Sequence, residues 1–305
     1  MNQLTSTVIF FGNGPVAAKC LQGFIDSFGA EAVEAVVTKT RPPHHKDIAP
    51  VEELAKNLGL TVWFANTKSE LDEVITNNQP SSKVGVVIDY GVVISAKAIS
   101  YFEKGIINSH FSLLPEWRGA DPITYSLLSG QNKTGVTLML IDEGLDTGPL
   151  LARVDYDLDD LDNSDTLTSN LIELSNQSIR HVLPLWLSGQ AIPLEQANGP
   201  ITYSRKLTKQ NGLLVFTKTA TELEREIRAF SGWPKSRTTI AGIDCVITKA
   251  QITPASSSPG KITVTDSKTI LIGCKTGSLE ILELQPAGKN NMPVSAFLNG
   301  YGHLL

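Results

Sequence analysis

Two side chains that could take part in catalysis, Asn108 and His110, stand two positions apart within residues 106–122 (IINSHFSLLPEWRGADP). Apolar residues precede them and a turn closing on Pro115 follows, which predicts a buried strand with polar side chains at its carboxyl end. Alternate residues of a strand point to one face, and open α/β sheets bind ligands at the carboxyl ends of their strands. This stretch therefore predicts a site, with a turn satisfied by backbone groups as the alternative that it leaves open.

A second polar cluster follows the apolar strand predicted over residues 134–141. Its loop, DEGLDTGPL, carries Asp142, Glu143 and Asp146 among glycines and a proline. Asp142 and Glu143 fit a turn that caps the next element, whereas the glycine and proline residues around Asp146 favour a fixed loop backbone. If this strand and the one ending at His110 are parallel, both polar clusters lie at one edge of the sheet.

The chemistry that an Asn, a His and an Asp can perform together is direct acyl transfer between two bound molecules. The carboxamide of Asn108 can donate to a carbonyl oxygen as negative charge develops on it. His110 can stabilise that oxyanion or move a proton, and Asp146 can orient the imidazole and relay a proton from an attacking amine. The chain shows no Ser-His-Asp elbow and no cysteine nucleophile, and this chemistry requires no covalent intermediate on the enzyme.

The elements that must position these residues alternate between strands and helices. Strands are predicted over residues 7–11, 32–38, 61–64, 84–89 and 134–141, and helices over 51–60, 68–77, 96–102 and 166–187. This alternation predicts a Rossmann-like, doubly wound, mostly parallel sheet. The first turn reads G-x-G-x-x-A at Gly12, Gly14 and Ala17, but the second strand ends in Thr38 and Lys39 instead of an acidic residue. A tight strand-to-helix turn is therefore favoured over a nicotinamide site.

A second, smaller domain is predicted at the carboxyl end. We expect a catalytic domain over residues 1–188, a linker over 189–205 that contains glycine and proline breaks, and a β-domain over 206–305. Five short strands, over 238–240, 245–252, 261–265, 270–273 and 279–285, predict a small OB-like barrel. Residues 206–305 hold 12 Lys+Arg against 7 Asp+Glu, whereas residues 1–205 hold 14 against 24. Such asymmetry is compatible with a polyanionic partner for the second domain and equally with a solvated face.

Composition narrows the class of protein further. The chain has 305 residues with 41% hydrophobic and 19% charged, as an ordinary globular protein does. We expect no membrane span or signal peptide, and hence a cytoplasmic protein. The three cysteines predict neither a disulfide framework nor a zinc site, and His44, His45 and Asp47 are interpreted as a solvated loop instead of a metal site.

Several motifs together resemble a known family. INSHFSLLPEWRGADPI, DEGLDTGPL, RAFSGWP and LQPAGKNNM are similar to segments of the methionyl-tRNA formyltransferases, in the same order and across nearly the whole chain. The resemblance implies that Asn108, His110 and Asp146 are the catalytic trio, that 10-formyltetrahydrofolate is the formyl donor without a metal, and that an OB-type second domain holds initiator methionyl-tRNA. We also expect a monomer.

The resemblance assigns two further groups of residues. The donor is expected against Tyr90, Gly91, Val93, Ile94, Ser112, Leu113, Leu114, Pro115, Ile141 and Asp142. Contacts with tRNA are expected from Arg41, Lys46, Arg118, Arg205, Lys206 and Lys209.

Some positions depart from the family pattern. The loop after Thr40 is short and has Arg41 and Lys46 as its fixed positive charges, while Glu116 and Asp121 make the site mouth more acidic. Asp89 stands where a small residue is common. Two alternatives stay open: a formyltetrahydrofolate-dependent enzyme that acts on another amine, such as a sugar nucleotide, or that hydrolyses the donor, and a non-catalytic nucleic-acid-binding protein.

Overall fold

The computed structural model describes residues 4–41, 48–197 and 199–305. By their internal contacts these residues form two compact units. The first contains Met1–Pro122, Lys133–Asp157 and Thr168–Ser204, and the second contains Ile123–Asn132, Leu158–Leu167 and Arg205–Leu305. The boundaries at 188 and 206 stay a prediction, and the contact-based grouping differs from them by placing two earlier segments in the second unit.

The secondary structure follows the predicted alternation closely in its first half. The strands are β1 (Val8–Phe11), β2 (Val33–Thr38), β3 (Val62–Phe64), β4 (Val84–Val87), β5 (Ile106–His110), β6 (Arg118–Gly119), β7 (Lys133–Leu140), β8 (Leu150–Asp157), β9 (Tyr203–Ser204), β10 (Ser236–Ile240), β11 (Ile243–Thr253), β12 (Ile262–Val264), β13 (Ile270–Gly273), β14 (Ser278–Pro286) and β15 (Met292–Pro293). The α-helices are α1 (Pro15–Phe28), α2 (Pro50–Asn57), α3 (Lys68–Asn78), α4 (Ala96–Ser100), α5 (Pro122–Ser129), α6 (Ser164–Leu187), α7 (Ala220–Ala229) and α8 (Val294–Tyr301). Short 3-10 helices span Ala30–Ala32, Lys209–Gly212 and Gly302–Leu304.

The first unit is organised around a sheet that, in the described part of the chain, has seven strands in the order β3-β2-β1-β4-β5-β7-β8. The strands from β3 through β5 pair in parallel. Every residue of β1 and β4 is buried, as expected for central parallel strands that are covered on both faces. The predicted Rossmann-like sheet is confirmed.

The strand that leads to the acidic loop differs from its predicted direction. β7 is antiparallel to β5, with Ile107 opposite Leu140 and His110 opposite Thr137. A parallel strand would have carried the loop to the carboxyl end of β5 directly. In the structure, β7 ends beside the start of β5, and the loop must fold back to bring its polar side chains to β5.

A further strand, β8, was missed because its composition is so acidic. Residues 155–165 contain six Asp residues, a composition typical of a solvated loop, yet Asp155 and Asp157 belong to β8, which pairs with β7. Lys133 on β7 lies 3.8 Å from the Asp155 carboxylate and 3.2 Å from that of Asp157. Cross-strand pairs of opposite charge of this kind favour the strand where local composition disfavours it.

The glycine turn between β1 and α1 is explained by close packing. A Cβ at Gly12 would lie 2.6 Å from the Cβ of Ala17 and 3.0 Å from the carbonyl oxygen of Ile88. Pro15 begins α1, a position where the missing N–H of proline costs nothing. The turn therefore joins strand to helix tightly, as predicted.

The second unit is an antiparallel sheet in the order β10-β11-β14-β13-β12, with β15 beside β14. Its core joins apolar residues of α7, α8 and the sheet, including Leu223, Ile247, Ile281 and Phe297. Reciprocal hydrogen bonds between Thr219 and Glu222 cap the start of α7. The sheet is curled, which confirms the predicted OB-like domain, although α8 was not predicted. No helix among the described residues is long and apolar enough to cross a bilayer.

Candidate active site

The structure brings the three predicted catalytic residues together. Asn108 and His110 lie on β5, and Asp146 lies on the loop between β7 and β8. Asn108 Nδ2 donates to Asp146 Oδ1 over 3.3 Å, and His110 Nδ1 lies 3.8 Å from Asp146 Oδ2. Only 6% of the His110 side chain and 15% of the Asp146 side chain are exposed. The two polar clusters of the sequence therefore form one site, in which water screens these charges weakly.

A backbone carbonyl determines which nitrogen of His110 carries hydrogen. His110 Nε2 lies 3.0 Å from the carbonyl oxygen of Trp117, and a carbonyl oxygen can only accept a hydrogen bond. Nε2 is therefore the protonated nitrogen of the neutral imidazole. Its Nδ1 then offers a lone pair on the side of Asp146, and a proton taken up there gains a carboxylate neighbour.

Asp146 itself is held by contacts around its carboxylate. The amide of Gly119 donates to Asp146 Oδ2 over 2.7 Å, while Oδ1 accepts from Asn108. The backbone of Asp146 has a φ of 51°, in the left-handed region that non-glycine residues rarely adopt. Such a conformation persists only where the surrounding contacts impose it, so this loop is built to present the carboxylate.

The predicted donor-binding turn, Ser112 to Pro115, shapes the backbone more than it offers side chains. Ser112 and Leu114 have no exposed area, and Leu113 is 5% exposed. The hydroxyl of Thr137 accepts from the amide of Leu114 and donates to the carbonyl of Ser112, and the hydroxyl of Ser112 donates to the carbonyl of Glu116. These bonds fix the path of the turn that follows His110 and ends at Pro115.

Three of the other predicted donor residues belong to the apolar core of the first unit. Tyr90 and Ile94 are buried in one hydrophobic cluster of the first unit, and Ile141 packs against it. Val93 is 72% exposed, and Gly91 is exposed beside it. Of this group, Gly91 and Val93 are therefore the residues most open to a ligand.

Asp142 has a local structural role in this loop. Its carboxylate accepts from the amide of Gly144 over 3.0 Å and from the hydroxyl of Thr147 over 2.8 Å. These bonds match the turn-capping alternative for Asp142, which keeps free lone pairs on its oxygens for a ligand.

The predicted tRNA contacts fall into three groups. Arg205, Lys206 and Lys209 are exposed at the start of the second unit's last segment, and Arg41 is half-buried. Arg118 is 7% exposed, and its Nη2 donates to Gln196 Oε1 over 2.6 Å, so its burial argues against a phosphate contact.

Some residues that the sequence singled out lie outside the described residues. These are Lys46 and the three residues interpreted as a solvated loop, His44, His45 and Asp47. Among the residues that are described, no group of three or more His, Cys, Asp or Glu side chains is arranged to hold a metal ion. The three cysteines are free and buried.

Three groups at the site have no signal in the sequence. They are the amide of Gly119, the carbonyl of Trp117 and the side chain of Gln196, which lies in the predicted linker. Two are backbone atoms, which every residue carries, and the third is one of several polar residues in an irregular segment. Only the folded chain shows that they surround Asp146 and His110.

Asp89 follows β4, whose Val87 is paired with Asn108 in the sheet. Asp89 is exposed as a residue, but its carboxyl group lies close to the backbone of Gly14. A Cβ added at Gly14 would lie only 2.6 Å from Asp89 Oδ2. Burial of the carboxyl raises the pKa of Asp89 to about 6, the carboxylate of Asp121 adds to this, and Lys39 opposes it. Asp89 therefore takes up a proton more easily than an ordinary aspartate does.

Known proteins are similar to this chain over nearly its whole length. The family model for the formyl transferase domain matches residues 6–183, and that for the formyl transferase C-terminal domain matches residues 206–302. A methionyl-tRNA formyltransferase from Myxococcus xanthus is 35% identical over 96% of this chain and 95% of its own length. One from Magnetococcus marinus is 30% identical over 97% and 95%.

A solved structure supports the same fold at lower identity. An N-formyltransferase from Helicobacter canadensis, in complex with folinic acid and dTDP-3-aminofucose, superposes with a TM-score of 0.69. It is 18% identical, and the match covers 92% of this chain and 100% of that one. The formyl transferase model contains the three residues Asn108, His110 and Asp146, and both relatives match nearly the whole chain. The chain therefore belongs to the formyl transferase family.

Proposed function

We propose that this protein transfers the formyl group of 10-formyltetrahydrofolate to the α-amino group of initiator methionyl-tRNA. The observation that carries the proposal is the convergence of Asn108, His110 and Asp146 on one buried site. Family membership and two relatives named methionyl-tRNA formyltransferase over nearly their whole length support the choice of reaction. We also propose that the protein acts in the cytoplasm as a monomer.

The oxyanion of the tetrahedral intermediate is assigned to Asn108. A carboxamide has two N–H groups, and Asn108 uses one of them on Asp146. The other is available for the formyl oxygen as it gains negative charge. A donor that strengthens its bond in the transition state lowers the barrier to the reaction.

Transfer of the proton that the attacking amine loses is assigned to His110 Nδ1. The free amine of the acceptor attacks the formyl carbon, and a new C–N bond forms as the carbonyl electron pair moves onto the formyl oxygen. The electron pair then returns, and the bond from that carbon to N10 of the donor breaks. Nδ1 accepts the proton that the amine loses and returns it to the departing N10, so the imidazole ends as it began. Asp146, 3.8 Å from Nδ1, stabilises the imidazolium between these two steps.

The two substrates are assigned to different surfaces. The pteridine ring of the donor is assigned to the segments that carry the apolar residues Tyr90, Ile94 and Ile141. The surplus of positive charge over residues 206–305 suits the phosphates of a tRNA. The exposed Arg205, Lys206 and Lys209 are the contacts that we propose there.

A formylation assay with charged initiator and elongator methionyl-tRNA tests the proposal. We expect formyl-methionine on the initiator only, formed in proportion to donor consumed, and weaker tRNA binding as salt rises. Methionyl-tRNA that stays unformylated with enzyme and donor present would contradict the proposal. Parallel reactions with an amino sugar nucleotide and without acceptor report the two alternative enzyme activities.

A further inference from the structure

Gln196 lies in the segment predicted as a linker, but its side chain contacts the catalytic loop. Gln196 Nε2 donates to the carbonyl oxygen of Asp146 over 2.8 Å and to that of Gly148 over 3.0 Å. Its Oε1 accepts from Arg118 Nη2 over 2.6 Å. Both N–H groups and the carbonyl oxygen of the carboxamide are therefore used, and two of the three bonds go to the backbone of the loop that carries Asp146.

These bonds close a ring around Asp146. Gly119, next to Arg118, donates from its amide to the Asp146 carboxylate, while Arg118 reaches the backbone of Asp146 through Gln196. The segment of Gln196 is tied to the same loop by reciprocal backbone bonds between Leu194 and Leu150, of 2.7 and 2.9 Å. Gly119 thus holds the carboxylate of Asp146, and Gln196, which is bonded to Arg118, holds its backbone.

We propose that Gln196, oriented by Arg118, is a positioning residue for Asp146. This proposal rests on the proposed function, in which Asp146 serves His110. Asp146 has a left-handed φ of 51°, a conformation that persists only where surrounding contacts impose it, and Gln196 supplies one such contact to its carbonyl oxygen. Glutamine is suited to this role because it donates twice and accepts once, whereas glutamate would direct a carboxylate at two carbonyl oxygens.

Gln196 could serve only to attach the linker segment to the first unit, or it could position Asp146. These two roles predict different results when Gln196 is replaced. Loss of attachment would lower the melting temperature and impair all steps together. Loss of positioning would lower kcat and leave KM for both substrates nearly unchanged, because Gln196 makes none of the contacts proposed for donor or tRNA. A misplacement of about 1 Å in a catalytic group costs up to roughly a hundredfold in rate.

The test compares Gln196→Ala and Gln196→Glu with Glu195→Ala, a control at the exposed neighbouring position. We expect kcat to fall by roughly tenfold to a hundredfold in both Gln196 variants, with KM within about twofold and a folded protein by thermal melting. We also expect faster hydrogen exchange in a peptide covering residues 142–149. The control should match wild type in all of these measurements.

Measurements of kcat and of hydrogen exchange together distinguish failure of the inference from failure of the proposed function. Wild-type kcat together with wild-type exchange over residues 142–149 in both Gln196 variants would overturn the inference. So would a fall in kcat that is matched by a rise in KM and a lower melting temperature. If wild-type protein fails to formylate methionyl-tRNA, the proposed function fails, and the exchange measurement still shows whether Gln196 holds the loop.

Discussion

Asp146 and Asp89 are two carboxylates of the first unit whose surroundings differ. Both follow strands of one sheet and both have a positive φ, of 51° and 47°. Asp146 accepts hydrogen bonds from Asn108 and from the amide of Gly119. Burial of its carboxyl group and the like charge of Asp121 raise the pKa of Asp89 to about 6. Burial and a like charge favour protonation of Asp89, whereas hydrogen-bond donors hold the carboxylate of Asp146 in place beside His110.

The largest effect is expected from Asp146→Asn. The amide keeps the shape of the side chain but removes the negative charge that stabilises protonated His110. We expect kcat to fall by roughly a thousandfold, within the range of general acid–base contributions. Single-turnover formylation measures this loss directly. A kcat within about tenfold of wild type would remove Asp146 from the mechanism.

The next effect is expected from Asn108→Ala. This change removes the N–H proposed for the oxyanion and one hydrogen bond to Asp146, and we expect kcat to fall by roughly a hundredfold or more. Thermal melting serves as the control for folding. Near-normal turnover in a folded variant would refute the oxyanion role of Asn108.

A smaller effect is expected from Asp89→Asn, on stability instead of rate. Because the folded pKa of about 6 lies above the ordinary value of 3.8, neutral Asp89 contributes stability that is complete below 3.8 and is lost as pH rises through about 6. The carboxamide that replaces the carboxyl group stays neutral, so the variant should equal wild type at about pH 3.5 and exceed it at about pH 8. Since Asp89 is partly open to water, we expect a gain below about 1 kcal/mol.

Urea unfolding of wild type and Asp89→Asn across this pH range checks the expectation. A difference between the two proteins that does not change with pH would contradict a raised pKa at Asp89. A variant that is less stable than wild type at about pH 8 would show instead that the Asp89 carboxylate has a stabilising partner.

The smallest effect is expected from Asp121→Asn. Removing this neighbouring charge should lower the pKa of Asp89, because the Asp121 carboxylate is one of the two causes that raise it. Burial is the larger cause and remains, so only part of the shift should be lost. A carboxyl-carbon NMR titration of Asp89 measures the change. An unchanged titration would mean that burial alone raises the pKa of Asp89.

The candidate residues of the site could be recognised in the sequence because their types stand at short spacing. Asn108 and His110 share one face of a strand through the two-residue repeat, and glycine and proline mark the loop around Asp146. The direction of β7 was not predictable from an apolar run, which is the same in a parallel and an antiparallel strand. The strand β8 was missed because its acidic residues are compensated by Lys133, which lies on the other strand of the pair.

The amino-acid sequence alone was sufficient to predict the family, the two-part organisation and the three residues of the proposed trio. Motifs and periodicity are properties of neighbouring residues, and they can be recognised without coordinates. The folded chain was needed to show that Trp117 fixes the tautomer of His110, that Arg118 is buried, and that Gln196 supports the loop of Asp146. These contacts join residues 7 to 78 positions apart, many through backbone atoms that carry no residue-specific signal. Folding alone brings such groups within hydrogen-bonding distance.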